Sequence, residues 1–330
     1  MPTLRARTAS TAQNIHCARP FCARQQRGKP VSYNIFGSSL APRLGFAVPF
    51  AFIAFFSLIP AVATIALSLT DLSSEPGIPV HWVGIHNYVQ FFTGGNSADS
   101  IGALEHTLIF ALAVSVILNV VALAVAILLN RQSRFAILTR SVVFLPTVLG
   151  VTVVGLLWSL FFNPIGGPAQ AFVGLFGVRS SFFGDPNLAL ALCIFVQIWM
   201  SVGYSALIYT SGLQAVPGEL YEAASIDGAN GWHRLRYVTI PMIAPSMTAN
   251  ILIAIIGSLQ SFQLIYVLTG VLNPATSVLS LMLFKIGFGL SGSSGQSQGF
   301  ASAISIVQFV LVAVIALAAY SYLRRRENQL

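Results

Sequence analysis

Charge is scarce in this chain. Asp, Glu, Lys and Arg make up 8% of its 330 residues, against 55% hydrophobic residues and a mean hydropathy of +0.79. Soluble globular domains carry about 25% charged residues. So little charge cannot solvate a whole surface, which excludes a soluble globular fold and leaves lipid as the covering solvent. Lysine is nearly missing: Lys29 and Lys285 are the only two, and neither stands in a Gly-x-x-x-x-Gly-Lys-[Ser/Thr] frame. That frame cradles nucleotide phosphates, so no ATPase site is expected on this chain. Cysteine is limited to Cys17, Cys22 and Cys193, an odd count without framework spacing, which excludes a disulfide scaffold. Cys17 and Cys22 have only His16 nearby, short of the four ligands of a structural zinc, so no metal is expected there.

What is abundant is long apolar sequence. A helix crosses a bilayer with about 20 mostly apolar residues. Six runs qualify, near residues 44–69, 107–129, 141–162, 188–209, 247–268 and 301–323. None contains Asp, Glu, Lys or Arg. Each such residue at a helix centre costs about 2.5–3.5 kcal/mol on insertion scales. The runs hold no histidine either, which argues against a proton- or cation-coupled carrier. His81, His86 and His106, with Asp99 and Glu105, lack a tight ligand pair and read as parts of a polar loop. Ser, His and acidic residues share no nucleophile–base motif, so no catalytic residue is assigned.

The basic residues are distributed unevenly. Fifteen of the seventeen lie before the first run, between the second and third, between the fourth and fifth, or after the sixth. Only Arg179 and Lys285 fall in the alternate connections. A net charge of +8 would suit nucleic acid, but this placement is that of membrane topology, and no nucleic-acid partner is expected. The positive-inside rule puts both termini in the cytoplasm. Residues 1–43 read as a basic, acid-free tail near anionic lipid, 44–323 as the membrane domain and 324–330 as a short basic end. The first run exceeds the apolar core of a cleaved signal and is expected to be retained. The stretch 277–290, interrupted by Lys285, reads as an outer helix lying along the membrane or packed on the bundle.

One connection is unusually ordered for its length. Residues 216–245 read as two short helices around a turn. Pro217 suits a first helical turn and Glu219 the positive end of the helix dipole. Gly228 suits the left-handed position that ends a helix, and Asn230-Gly231 marks a second turn. Trp232, Leu235 and Val238 recur every three residues. The small pair Ala223-Ala224 would let the first helix sit deep in a partner's groove, with Glu222 beside it to accept hydrogen bonds. An ordinary amphipathic surface helix fits the same spacing, and spacing alone leaves both open.

The run Glu222-Ala223-Ala224, Asp227-Gly228 and Val238-Thr239-Ile240-Pro241 resembles the EAA loop of ABC importer permeases. Further stretches are similar to the carbohydrate-uptake branch, of the maltose and glycerol-3-phosphate first-permease type. These are Val83-Gly84-Ile85-His86-Asn87-Tyr88, Leu145-Pro146 with Gly155-Leu156-Leu157-Trp158, and Asn163-Pro164-Ile165-Gly166-Gly167-Pro168. Leu268-Thr269-Gly270 and Gly299-Phe300-Ala301-Ser302-Ala303 extend the match, whereas Gly270-Val271-Leu272-Asn273-Pro274 departs from the family's Gly-Gly-Gly-Pro.

The resemblance implies an all-α integral membrane protein of the bacterial inner membrane, with six transmembrane helices and a cytoplasmic coupling-helix loop. It implies a non-catalytic permease subunit importing a sugar or related polyol. Its partners would be a second, homologous permease, an ABC ATPase dimer that binds ATP and magnesium, an external solute-binding protein and membrane lipid. Glu222, Ala223, Ala224, Asp227, Gly228 and Pro241 would carry the coupling. A neutral, hydroxyl-rich substrate needs uncharged polar groups and aromatic faces, for which Gln260, Gln263, Ser258, Gln197 and Tyr204 are candidates. Asn119 in the second run is a further uncharged polar group, and Asn250, Ser261 and Gln197 also fit the role of polar glue between helices. A channel or secondary carrier whose inner loop matches by chance is the alternative.

Overall fold

The computed structural model describes residues 40–73, 77, 79–95, 97–130, 134–177, 179–290 and 297–327. The N-terminal tail with His16, Cys17 and Cys22 lies outside them. The helices are α1 (Leu40–Ile53), α2 (Ile59–Leu67), α3 (His86–Thr93), α4 (Ser97–Leu129) and α5 (Arg134–Val148). They continue with α6 (Val151–Phe161), α7 (Pro168–Gly174), α8 (Ala189–Gln214), α9 (Gly218–Ile226) and α10 (Gly231–Arg234). The last are α11 (Ile240–Met242), α12 (Ala244–Leu259), α13 (Gln263–Thr269), α14 (Leu279–Gly287) and α15 (Gln298–Glu327). Among the described residues β-structure is limited to two isolated bridges, Thr70 with Trp82 and Ser73 with Ser297.

Four segments are helical, long and apolar enough to cross a membrane: Gly45–Leu67, Ser97–Leu129, Ala189–Gln214 and Gln298–Glu327. The number rises to six if two bent helix pairs each count as one span. The third apolar run, expected as one helix over 141–162, is broken between α5 and α6 by a bend of 99°. The cause is local. Leu149 N bonds Pro146 O at 3.2 Å in a tight closing turn, and Gly150 is extended (φ −65°, ψ 146°), starting α6 in a new direction.

The fifth run, expected over 247–268, is also interrupted. Helix α12 stops at Leu259 and α13 starts at Gln263. Phe262 leaves helical geometry (φ −137°) and packs its ring on Phe284 and Tyr266, with centroids 4.7 and 5.7 Å away. Non-helical backbone at membrane depth survives only where other groups satisfy it. Here Gln308 of α15 donates Nε2 to Leu259 O at 3.2 Å and to Ser280 Oγ at 2.6 Å.

The core gathers on α8. Phe110, Val114 and Leu118 of α4, Val154 of α6, Cys193 and Val196 of α8, and Leu264 and Ile265 of α13 form one buried cluster. Ala122, Ala126, Ala206, Tyr209, Leu213 and Ile243 form a second, nearer the end of α8. Helices in lipid lack a hydrophobic drive toward each other, so close contact of small residues matters more. Gly203 shows this: a Cβ there would lie 2.6 Å from Val143 O, so α5 and α8 meet backbone to backbone. Thr147 Oγ1 stitches the same contact by donating to Met200 O at 3.1 Å.

Helix α14 packs on α4 and α15 through Leu279, Leu281 and Met282, which places the 277–290 stretch on the bundle. Asn87, in the stretch after the first run, donates Nδ2 to both Ser68 O and Thr70 O at 2.8 Å. It thereby satisfies carbonyls that the end of α2 leaves open. Asn273, where the chain departs from the family pattern, donates Nδ2 to Phe183 O at 2.7 Å and ties that turn to the loop before α8.

Candidate functional site

The α8–α12 connection builds the most elaborate surface feature among the described residues. Helix α9 begins at Gly218, one residue later than the sequence suggested, because Pro217 is extended (ψ 134°) and serves as the flanking residue. The helix closes with a Schellman arrangement. Ala229 N bonds Ala224 O at 2.9 Å and Gly228 N bonds Ser225 O at 3.2 Å. Gly228 has φ +75°, a conformation a side chain resists. Asn230 then caps α10 by accepting from His233 N at 2.9 Å. The three-residue repeat of Trp232, Leu235 and Val238 does not continue as an α-helix. Leu235–Thr239 form a wider π-turn, in which Ile240 N bonds Leu235 O, leading into Pro241 of α11.

Two side-chain links fold this hairpin onto itself. Tyr221 OH lies 3.2 Å from Thr239 Oγ1, and Arg234 Nη1 donates to Ser225 Oγ at 3.2 Å. Thr239 Oγ1 also donates to Arg234 O at 3.2 Å. Glu222, Ala223, Asp227 and Gly228 are exposed, and Ala224 is half-buried. Helix α9 therefore offers an acidic, small-residue face to whatever lies outside. Around it stand exposed apolar side chains: Ile226 is 87% exposed, Trp232 64% and Tyr237 67%. Arg236 sits over the Tyr237 ring at 5.8 Å. Apolar groups this exposed on an otherwise polar loop mark a contact surface. The pinning residues Tyr221, Ser225 and Thr239 carried no sequence signal, because their bonds join positions 9 to 18 residues apart.

The candidate pathway residues fall in two places. Gln260 and Gln263 flank the α12–α13 break and are exposed, while Ser258 is buried and donates to Ala254 O at 2.7 Å within its own helix. Gln197 and Tyr204 lie on α8 with Ser201 between them, at the i, i+4, i+7 spacing of one helix face. Gln197 Nε2 donates to Ser201 Oγ at 3.0 Å, and Tyr204 is 46% exposed.

The asparagines within the spans join helices. Asn119 Oδ1 accepts from Tyr209 OH at 2.5 Å and from Asn250 Nδ2 at 2.9 Å, linking α4, α8 and α12. Asn119 Nδ2 donates to Ser115 O at 2.7 Å, and Ser115 Oγ lies 3.4 Å from Ser258 Oγ. His81, His86 and His106 join no group of three or more possible metal ligands among the described residues.

Comparison with known proteins adds four findings. Residues 118–329 match the family described as the binding-protein-dependent transport system inner membrane component. The chain is 30% identical over 291 residues to the probable ABC transporter permease protein YurN of Bacillus subtilis, covering 86% of this chain and 96% of that one. It is 30% identical over 281 residues to the lactose transport system permease protein LacF of Rhizobium radiobacter, covering 84% and 92%. Among solved structures, a chain of the bacterial alginate ABC transporter in complex with an alginate pentasaccharide-bound periplasmic protein shares the fold. Its TM-score is 0.74 at 19% identity, over 87% of this chain and 95% of that chain.

Proposed function

This chain belongs to the family of inner membrane components of binding-protein-dependent transport systems, and on that premise we propose that it is the sugar-conducting permease subunit of an ABC importer. With that membership the reading of a channel or ion-driven carrier with a chance loop match falls away. The substrate is a sugar or related polyol, supported by the lactose permease relative and by the uncharged polar lining candidates. The α5–α6 pair counts as one span and α12–α13 as another, giving six with the four long helices, and both termini lie in the cytoplasm of the bacterial cell. A second, different but homologous permease completes the pathway. A solute-binding protein delivers substrate from outside.

The observation that carries the reading is the hairpin at α9–α10. Glu222, Ala223, Ala224, Asp227 and Gly228 present a short capped helix, and the links Tyr221–Thr239 and Ser225–Arg234 make it a solid body continuous with Pro241 and α12. A separate ATPase pair receives this helix and binds ATP and magnesium. This chain is non-catalytic, in keeping with two lysines that match no phosphate-cradling frame. When the ATPases close, the hairpin is pushed and the bundle alternates between outward and inward access. Gln260, Gln263, Ser258, Gln197 and Tyr204 line the route.

Affinity purification of the detergent-extracted protein from its own host, followed by reconstitution, tests this. The expected result is copurification of an ABC ATPase and labelled-sugar uptake that requires ATP inside the vesicle. Uptake that ignores ATP and follows an ion gradient would overturn the reading. So would labelling of a Trp232→Cys variant by an impermeant thiol reagent applied only from outside the cell.

A further inference from the structure

A cavity of about 390 Å³ lies between α4, α5 and α8, where α4 ends and α8 approaches the α9 hairpin. Its two long walls are antiparallel helices, and both grade from polar to apolar in the same direction. On α5 the lining residues are Arg140 and then Val143 and Phe144, at i, i+3 and i+4. On α8 they are Gln214 and Ser211 and then, one turn further from that end, Leu207. Arg140 and Gln214 share the polar end, and Phe144 meets α8 at Gly203, where a Cβ would touch Phe144 Cα at 2.9 Å.

Arg140 is held rigidly. Its Nε donates to Leu129 O at 3.1 Å, and its Nη2 donates to the same oxygen, at the last helical residue of α4. That carbonyl is neutral, so the guanidinium charge has no carboxylate partner among the described residues. Of its five N–H donors, those of Nη1 have no partner among the described residues. The Ser211 hydroxyl and the Gln214 amide are exposed and likewise have no partner among the described residues. Outside the cavity, Leu138, Val142 and Leu145 are exposed large apolar side chains. A ligand that satisfies this place has an anionic, hydrogen-bond-accepting head and a hydrocarbon tail.

We propose that the cavity binds one anionic phospholipid, its phosphate held by Arg140, Ser211 and Gln214 and an acyl chain laid along Val143, Phe144 and Leu207. The lipid fills the gap between α5 and α8 at the end nearest the α9 hairpin. Basic side chains at a membrane surface favour anionic lipid by about fivefold each, and an Arg fixed in a cleft reports that preference as a discrete, stoichiometric site.

The test uses the intact, detergent-purified assembly, depleted of lipid and examined by native mass spectrometry. Phosphatidylglycerol and phosphatidylcholine of identical chains are added in parallel. The expected result is one retained phosphatidylglycerol per copy of this chain, with phosphatidylcholine bound about fivefold more weakly. Arg140→Gln removes the preference and Arg140→Lys keeps part of it. Because Arg140→Gln also releases the end of α4, a second variant, Ser211→Phe, blocks the cavity while leaving Arg140 in place, and it abolishes retention in an assembly that elutes as wild type. Equal retention of both lipids, or phosphatidylglycerol binding that survives Ser211→Phe, overturns the proposal. Displacement by excess inorganic phosphate overturns it in favour of a free-phosphate site. No retained lipid at all overturns it in favour of a protein segment filling the cavity.

Discussion

The Tyr221 hydroxyl stands 3.2 Å from Thr239 Oγ1, so the helix that carries Glu222 and the turn that leads to Pro241 are fastened side by side. On the proposed coupling role, a push on one would be delivered to the other without passing through the turn at Gly228 and Asn230. Tyr221→Phe removes this bond and costs about 0.5–1.5 kcal/mol locally. ATP turnover in proteoliposomes is expected to persist while sugar transported per ATP falls. An unchanged ratio in Tyr221→Phe and Thr239→Val would show that the fastening plays no part in transmission.

Gly228 tests the cap itself. A side chain at φ +75° costs about 1–2 kcal/mol, and Asn tolerates the region better than most residues. Gly228→Val is expected to loosen the end of α9 and weaken ATPase retention, and Gly228→Asn to keep most of it. Hydrogen exchange at Ala229, whose N–H bonds Ala224 O, reads the loosening directly.

The Asn119 junction tests what holds the membrane core. Asn119 Oδ1, itself half-buried, takes two bonds, from the fully buried Tyr209 and Asn250. Tyr209→Phe is expected to destabilise the bundle by about 0.6–2 kcal/mol, and Asn119→Leu by more, since both donors are then orphaned. Thermal unfolding of the purified protein in detergent measures both. Equal melting for wild type and Asn119→Leu would remove the junction from the account of stability.

Gly203 tests the α5–α8 contact. A side chain there meets Val143 O at 2.6 Å, too close for either backbone to ignore. Gly203→Leu is expected to cost about 1–3 kcal/mol through overpacking and to lower the yield of folded protein, whereas Gly102→Leu, with open space around it, serves as the tolerated control.

The positions of the apolar helices were legible because each run is long, free of charge and bounded by polar residues. Their interruptions were not. Residues 141–162 carry no charge and give no sign of the dihedral change at Gly150, while the polar Ser258, Gln260, Ser261 and Gln263 surround the change at Phe262 but read as pathway or glue residues and not as an interruption. Pro146 stands in the right neighbourhood, yet the bend comes four residues later, at the first extended position. In the hairpin, Gly228 was legible through the one conformation that favours glycine. Tyr221, Ser225 and Thr239 were not, since a bond across 18 residues leaves no local pattern. Asn119 and Asn250 stood out as polar residues in apolar runs, while Tyr209, which completes their junction, looks like any aromatic.

The interruption after Leu259 sets how far a displacement can travel. An unbroken rod would carry a tilt at Pro241 straight across the bilayer and open both faces at once, which leaks. Here the rod ends partway, and its last carbonyl is tethered sideways by Gln308 to α15 and, through Ser280, to α14. On the proposed coupling role the tether would act as a fulcrum: the segment on the hairpin side would swing, and the segment beyond, anchored by Phe262 against Phe284, would hold its place.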